Sequence, residues 1–250
     1  MIRSGNEDNF TVDSTEDRGI FIVADGMGGH AAGEVASEMA VQIVQRELAG
    51  VTSLDGDDVV PIVTESLRHA NRAIHDRTLT EVDKQGMGTT VSALLLSGSR
   101  YLIGQVGDSR VYLLRDGQFA QLTKDHSYVQ EQVDAGYLTP EQARYHPYSN
   151  VITRCVGAGQ DVEPDIYRGE VRVGDLYLVA SDGLTGMVDD RRLAQLLSSR
   201  ADPDRKVQAL IAEANGRGGL DNITAIVVQV AETGPASDDP NLTREVRPVE

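Results

Sequence analysis

The chain has 250 residues, 40% of them hydrophobic and 25% charged, which is enough for one sizeable domain or two small ones. Its formal net charge of -16 argues against nucleic acid or an anionic membrane as the main partner. Trp is absent and Phe occurs three times, so Val, Leu, Ile and Ala must build the core; one cysteine, Cys155, excludes an intrachain disulfide and a cysteine-based zinc cluster.

Residues 20–24 (IFIVA) are apolar and partly β-branched and predict a buried strand, which runs into Asp25, Gly26, Gly28 and Gly29. Residues 31–49 repeat apolar side chains at helical spacing and end at Gly50. A second helix is predicted over 58–79, with Pro61 in its first turn and Ile62, Leu67, Ala70 and Ile74 as its buried stripe. Strands are predicted at 89–96, 100–107 and 110–123, the last folded at Asp116-Gly117. Residues 126–150 are polar and tyrosine-bearing and predict two short helices, one opened by Thr139 and Pro140, inserted between core strands. Strands return at 164–173 and 175–180, helices at 190–199 and 203–216, and a final strand at 222–230. Residues 231–250 are polar, proline-bearing and aperiodic, and a disordered tail is expected there. Strands joined by tight turns with helix pairs inserted predict an α+β fold built as an antiparallel sandwich.

The construction at Asp25 recurs. Asp108 follows the apolar run ending at Gly107, Asp182 follows DLYLVAS, and Asp221 stands just before NITAIVV. Any one of these is ordinary turn chemistry; four at strand termini are not. Clustered carboxylates repel and protonate unless cations hold them, and hard oxygen ligands suit Mg²⁺ or Mn²⁺. Two such ions would activate a water for in-line displacement at phosphorus. Arg3, just before Glu7 and Asp8, carries a guanidinium fork that matches a phosphate.

The stretches RSGNEDN, VADGMGGH, MGTT, VGDSR, LTKDHS, HPYSNVITRCVG, ASDGL and DNITAIVV, in this order, resemble the bacterial PPM (PP2C-type) metal-dependent serine/threonine protein phosphatases from residue 3 to about residue 230. The resemblance implies a β-sandwich of two antiparallel sheets flanked by helices, in four layers, over residues 1–230, with a flap at about 124–150. It implies that Asp25 bridges two Mn²⁺ or Mg²⁺ ions with the Gly26 carbonyl on one, that Asp182 and Asp221 ligate the other, and that Glu7 and Asp8 bind metal-coordinated waters. Arg3 would bind the substrate phosphate, and Asp108 would share a third, weaker site with Asp182. The implied reaction is attack of metal-bound hydroxide on phosphoserine or phosphothreonine, with no phosphoenzyme. The implied partners are phosphoproteins made by a serine/threonine kinase. A cytoplasmic location is expected, since no signal peptide or membrane-length apolar run is read, and a monomer is expected.

Two departures from the family pattern stand out. Met27 occupies the position of a histidine proposed elsewhere as general acid, leaving His30, His126, His146 or a metal-bound water. Only Met1 and Ile2 precede Arg3, where the family has a first strand: either that edge strand is missing or the recorded start is too late, and in the first case weaker phosphate affinity with intact metal ligands is expected. A non-catalytic module of this fold and a hydrolase of small phosphoesters are the other two classes to be separated.

Overall fold

The computed structural model describes residues 5–233. The chain opens with an antiparallel hairpin, β1 (Asp8–Ser14) and β2 (Arg18–Met27), followed by two long helices, α1 (His30–Leu48) and α2 (Val59–Thr80). A short β3 (Gly88–Thr89) leads into β4 (Val91–Ser97), β5 (Arg100–Val106), β6 (Arg110–Arg115) and β7 (Gln118–Gln121). Between β7 and β8 stand α3 (Tyr128–Asp134) and α4 (Pro140–Arg144), the two short helices expected in that stretch. Then come β8 (Asp165–Glu170), β9 (Leu176–Ala180), α5 (Asp182–Thr185), α6 (Asp190–Leu197), α7 (Pro203–Gly216) and β10 (Ala225–Gln229). One sheet has the order β1-β2-β4-β5-β8, with β3 on β2; the other has the order β10-β9-β6-β7. All pairings are antiparallel.

The alternation of side chains along each strand builds four layers. On β2, Phe21 and Val23 point between the sheets, against Val111, Leu113, Tyr177 and Val179. Its neighbours Ile20 and Ile22 point outward, under Ala36, Ala40 and Val44 of α1 and Val63, Leu67 and Ile74 of α2. The second sheet buries Tyr112, Leu176 and Leu178 under Leu193 and Leu197 of α6 and Leu210 of α7. The sandwich flanked by helices expected from the sequence is therefore present. Among the described residues, no helix is long and apolar enough to cross a membrane.

Some boundaries differ from the sequence reading. β1 was not expected; its two large apolar residues, Phe10 and Val12, are 58% and 50% exposed, so it buries no stripe that would mark it as a strand. The last strand begins at Ala225 rather than 222, because Asp221–Thr224 is taken up in contacts at the site. Asp182, read as a turn residue at a strand end, opens one helical turn, α5 (Asp182–Thr185). Residues 231–233 carry no regular structure, and the rest of the expected tail, 234–250, lies outside the described residues.

Candidate metal centre

The sandwich brings the acidic residues to one end through register and close packing. In the first hairpin, Asp8 pairs directly across from Asp25. The Asp25 peptide is fixed on both sides: its N–H donates to Thr90 Oγ1 at 2.9 Å, and its carbonyl accepts from Thr89 Oγ1 and from the Thr90 N–H, each at 2.9 Å. Thr90 Oγ1 also meets Ser109 Oγ at 2.7 Å, which ties Asp25 to the turn that carries Asp108.

Glu7 and Asp8 are held from the opposite sheet. The Glu7 N–H donates to Asn222 Oδ1 at 3.0 Å, and Asn222 Nδ2 donates to the Gly5 carbonyl at 2.9 Å. Asp8 Oδ2 accepts from Ser181 Oγ at 2.9 Å, and the Thr224 N–H donates back to that Ser181 oxygen at 3.0 Å. Asp8 is thus bonded to the residue before Asp182, and Glu7 to the residue after Asp221.

Glycines make these approaches possible. A Cβ on Gly26 would collide with the Gly33 carbonyl of α1 and the Glu7 carbonyl; one on Gly183 would collide with the Asn222 carbonyl. The Gly26 N–H donates to the Glu7 carbonyl at 3.1 Å, and buried Ser37 Oγ donates to the same oxygen at 2.6 Å. Gly26 therefore lets α1, β1 and β2 close on one another, a packing reason for glycine that the sequence reading did not give.

The electrostatics are those of acids crowded together. Burial lifts Asp25 well above the usual carboxylate range, reinforced by the charges of Asp182 and Asp8. Burial likewise lifts Asp108 well above that range, with Asp182 and Asp125 adding to it and Arg110 opposing. Asp8 is pushed up to about 6, first by burial, with Asp182 and Asp221 contributing. Asp182 is raised by burial and partly relieved by a hydrogen bond from the Asp25 carboxyl. Behind the cluster, Arg110 forks onto Asp125 at 2.9 Å and 2.7 Å and donates to Tyr112 OH at 3.0 Å.

Divalent cations fit this donor set. Buried Asp8 Oδ1, Asp108 Oδ1 and Asp182 Oδ1 have no hydrogen-bond partner, a costly state for carboxylate oxygens unless something positive meets them. The donors are hard oxygens, which suit Mg²⁺ and Mn²⁺. Among the described residues no three His, Cys, Asp or Glu side chains converge closely enough to enclose an ion on their own.

The structure thus brings together Glu7, Asp8, Asp25, Gly26, Asp108, Asp182 and Asp221. Arg3 lies outside the described residues. Asn222, Ser181, Thr90 and Ser37 were missed from the sequence. Asn222 and Ser181 stand beside singled-out aspartates, and that adjacency was the available signal.

Residues 3–214 match the family described as Protein phosphatase 2C. The chain is 39% identical over 230 residues to the serine/threonine phosphatase stp of Listeria monocytogenes serotype 4b, covering 91% of each. The structure of the S. agalactiae serine/threonine phosphatase superposes with a TM-score of 0.84 at 40% identity, over 92% of this chain and 95% of that one. The catalytic domain of serine/threonine protein phosphatase PstP, solved with two manganese ions, gives a TM-score of 0.81 at 38% identity over 93% and 94%. The chain belongs to the protein phosphatase 2C family. It is a metal-dependent serine/threonine protein phosphatase.

Proposed function

We propose that Asp25 bridges two divalent cations, that the Gly26 carbonyl serves one of them, and that Asp182 and Asp221 hold the other. Glu7 and Asp8 receive hydrogen bonds from the waters around the ions, and Asp108 with Asp182 forms a third, weaker site. The observation that carries this reading is the set of partnerless, buried carboxylate oxygens on Asp8, Asp108 and Asp182. When bound, the pair of ions activates water for in-line displacement and neutralises the phosphoryl charge.

The chain's own residues bind, orient and limit the chemistry. Arg3, next to the segment that Asn222 anchors at Gly5, holds the substrate phosphate. Cys155 is half-buried and burial raises its thiol, so it is a poor nucleophile, which supports direct attack by water without a phosphoenzyme. Met27 carries no proton to give. His126 has its Nδ1 bonded to the Gly107 N–H and its Nε2 beside Asp165, so it is not placed to protonate the leaving group. The substrates are phosphoserine and phosphothreonine proteins produced by a serine/threonine kinase, and the enzyme acts on them as a cytoplasmic monomer.

Turnover of a phosphothreonine peptide and of p-nitrophenyl phosphate, each with and without Mn²⁺, tests this. Mn²⁺-dependent turnover of the peptide is expected. Turnover confined to the small ester would point to a small-phosphoester hydrolase, and none at all to a non-catalytic module.

A further inference from the structure

His126 takes no part in the chemistry above, yet it joins the flap to the turn that carries Asp108. It is 6% exposed. Its backbone N–H donates to the Gly107 carbonyl at 2.9 Å, and its Nδ1 accepts the Gly107 N–H at 3.0 Å. His126 thus bonds both backbone polar groups of Gly107; the carbonyl also accepts from Gln105 Nε2 at 3.1 Å, and Nδ1 of His126 holds the N–H, with Asp108 next in the chain. Gly107 has φ 103°, so this turn is not one that regular strand pairing would fix.

The hydrogen bonds set the tautomer. A backbone N–H can only donate, so Nδ1 is bare and the ring proton sits on Nε2. Nε2 lies 3.3 Å from Asp165 Oδ2, at the start of β8. Arg154 Nη1, 2.9 Å from Nε2, directs its hydrogens to the Glu163 carbonyl at 2.9 Å and Asp165 Oδ1 at 2.8 Å. Burial lowers the imidazole pKa, in keeping with a neutral ring. On the flap side, the His126 carbonyl accepts from the Thr153 N–H and the Val151 carbonyl from the Tyr128 N–H, each at 2.8 Å. The two ends of the flap thus close beside this ring.

We propose that His126 is a positioning residue: its Nδ1 clamp on Gly107 aims the Asp108 carboxylate and couples the base of the flap to the Asp108–Asp182 cation site. The second half rests on the reading of Asp108 as a ligand. A flap that shifts at its base pulls on Gly107 first, and through it on Asp108.

Two conservative replacements divide the ring's functions. In His126→Asn, Oδ1 takes the place of Nδ1 and nothing replaces Nε2. In His126→Gln, a side-chain amide atom reaches the Nε2 position and nothing replaces Nδ1. With the full chain, two quantities are read in these variants, in His126→Ala and in Asp108→Ala: hydrogen exchange of the Gly107 amide, and the Mn²⁺ concentration giving half-maximal turnover of a phosphothreonine peptide. His126→Asn should keep both within about twofold of the parent. His126→Gln and His126→Ala should speed Gly107 exchange about tenfold. They should also raise the Mn²⁺ half-saturation about tenfold, toward that of Asp108→Ala. A His126→Gln protein that protects Gly107 as well as His126→Asn does would overturn the proposal. So would three variants that lose activity and melting temperature together while the Mn²⁺ half-saturation stays put, which marks simple packing. An unmoved Mn²⁺ curve in Asp108→Ala would instead remove the ligand reading of Asp108, and Gly107 exchange would still decide the clamp.

Discussion

Asp25 occupies a place that folding alone does not reward. It sits in a strand whose neighbours are apolar, across from Asp8 and hydrogen-bonded to Asp182. Asp25→Asn should therefore split function from stability. Turnover should fall by more than about 100-fold, beyond what loss of an outer-shell partner costs, and Asp221→Asn should do the same. In EDTA, however, Asp25→Asn should melt higher than the parent by about 2–8 °C, for roughly 1–2 kcal/mol of relieved repulsion. Calorimetry in EDTA beside peptide turnover in Mn²⁺ reads both; a lower melting temperature would mean that Asp25 supports the fold. At Gly183 the constraint is steric. Gly183→Ala drives a methyl into the Asn222 carbonyl and so displaces Asp221. About 1–3 kcal/mol of stability should be lost in urea melts, with a raised Mn²⁺ requirement.

Elements with a one-sided apolar stripe were legible in the sequence, and those without one were not. α1 and α2 were expected at 31–49 and 58–79 and stand at His30–Leu48 and Val59–Thr80, because Ala36, Ala40 and Val44, and Val63, Leu67 and Ile74, mark their buried faces. β1 was hidden because register alone, not buried apolar side chains, makes it a strand. The aspartates were legible as a group because each stands at one end of an apolar run, Asp25, Asp108 and Asp182 after it and Asp221 before it. Their anchors were not, since Asn222 reaches Glu7 and Gly5 across more than 200 residues of chain and no local pattern reports that contact. Lys206 was hidden in the same way. Buried on α7, it donates to the Leu197 carbonyl at 2.8 Å and to the Ser199 carbonyl, closing the end of α6. Lys206→Met leaves those carbonyls without a donor and should cost about 1–3 kcal/mol in urea unfolding, with turnover in the folded protein unchanged.

For the whole molecule, two sheets place the ends of β2, β5, β9 and β10 together, so aspartates far apart in sequence share one pocket. A net charge of -16 makes such a pocket inhospitable without cations. Mn²⁺ at about 100 times its dissociation constant should stabilise the fold by about 2.7 kcal/mol for each ion bound. EDTA should reverse that gain, and NaCl of equal ionic strength should not reproduce it. The central claim is that these carboxylates hold a pair of divalent ions, and anomalous diffraction at the manganese edge from crystals grown in Mn²⁺ tests it most directly. Two peaks about 4 Å apart on either side of the Asp25 carboxylate, one of them also against Asp182 and Asp221, are expected. A map with ordered aspartates and no anomalous density between them would contradict it.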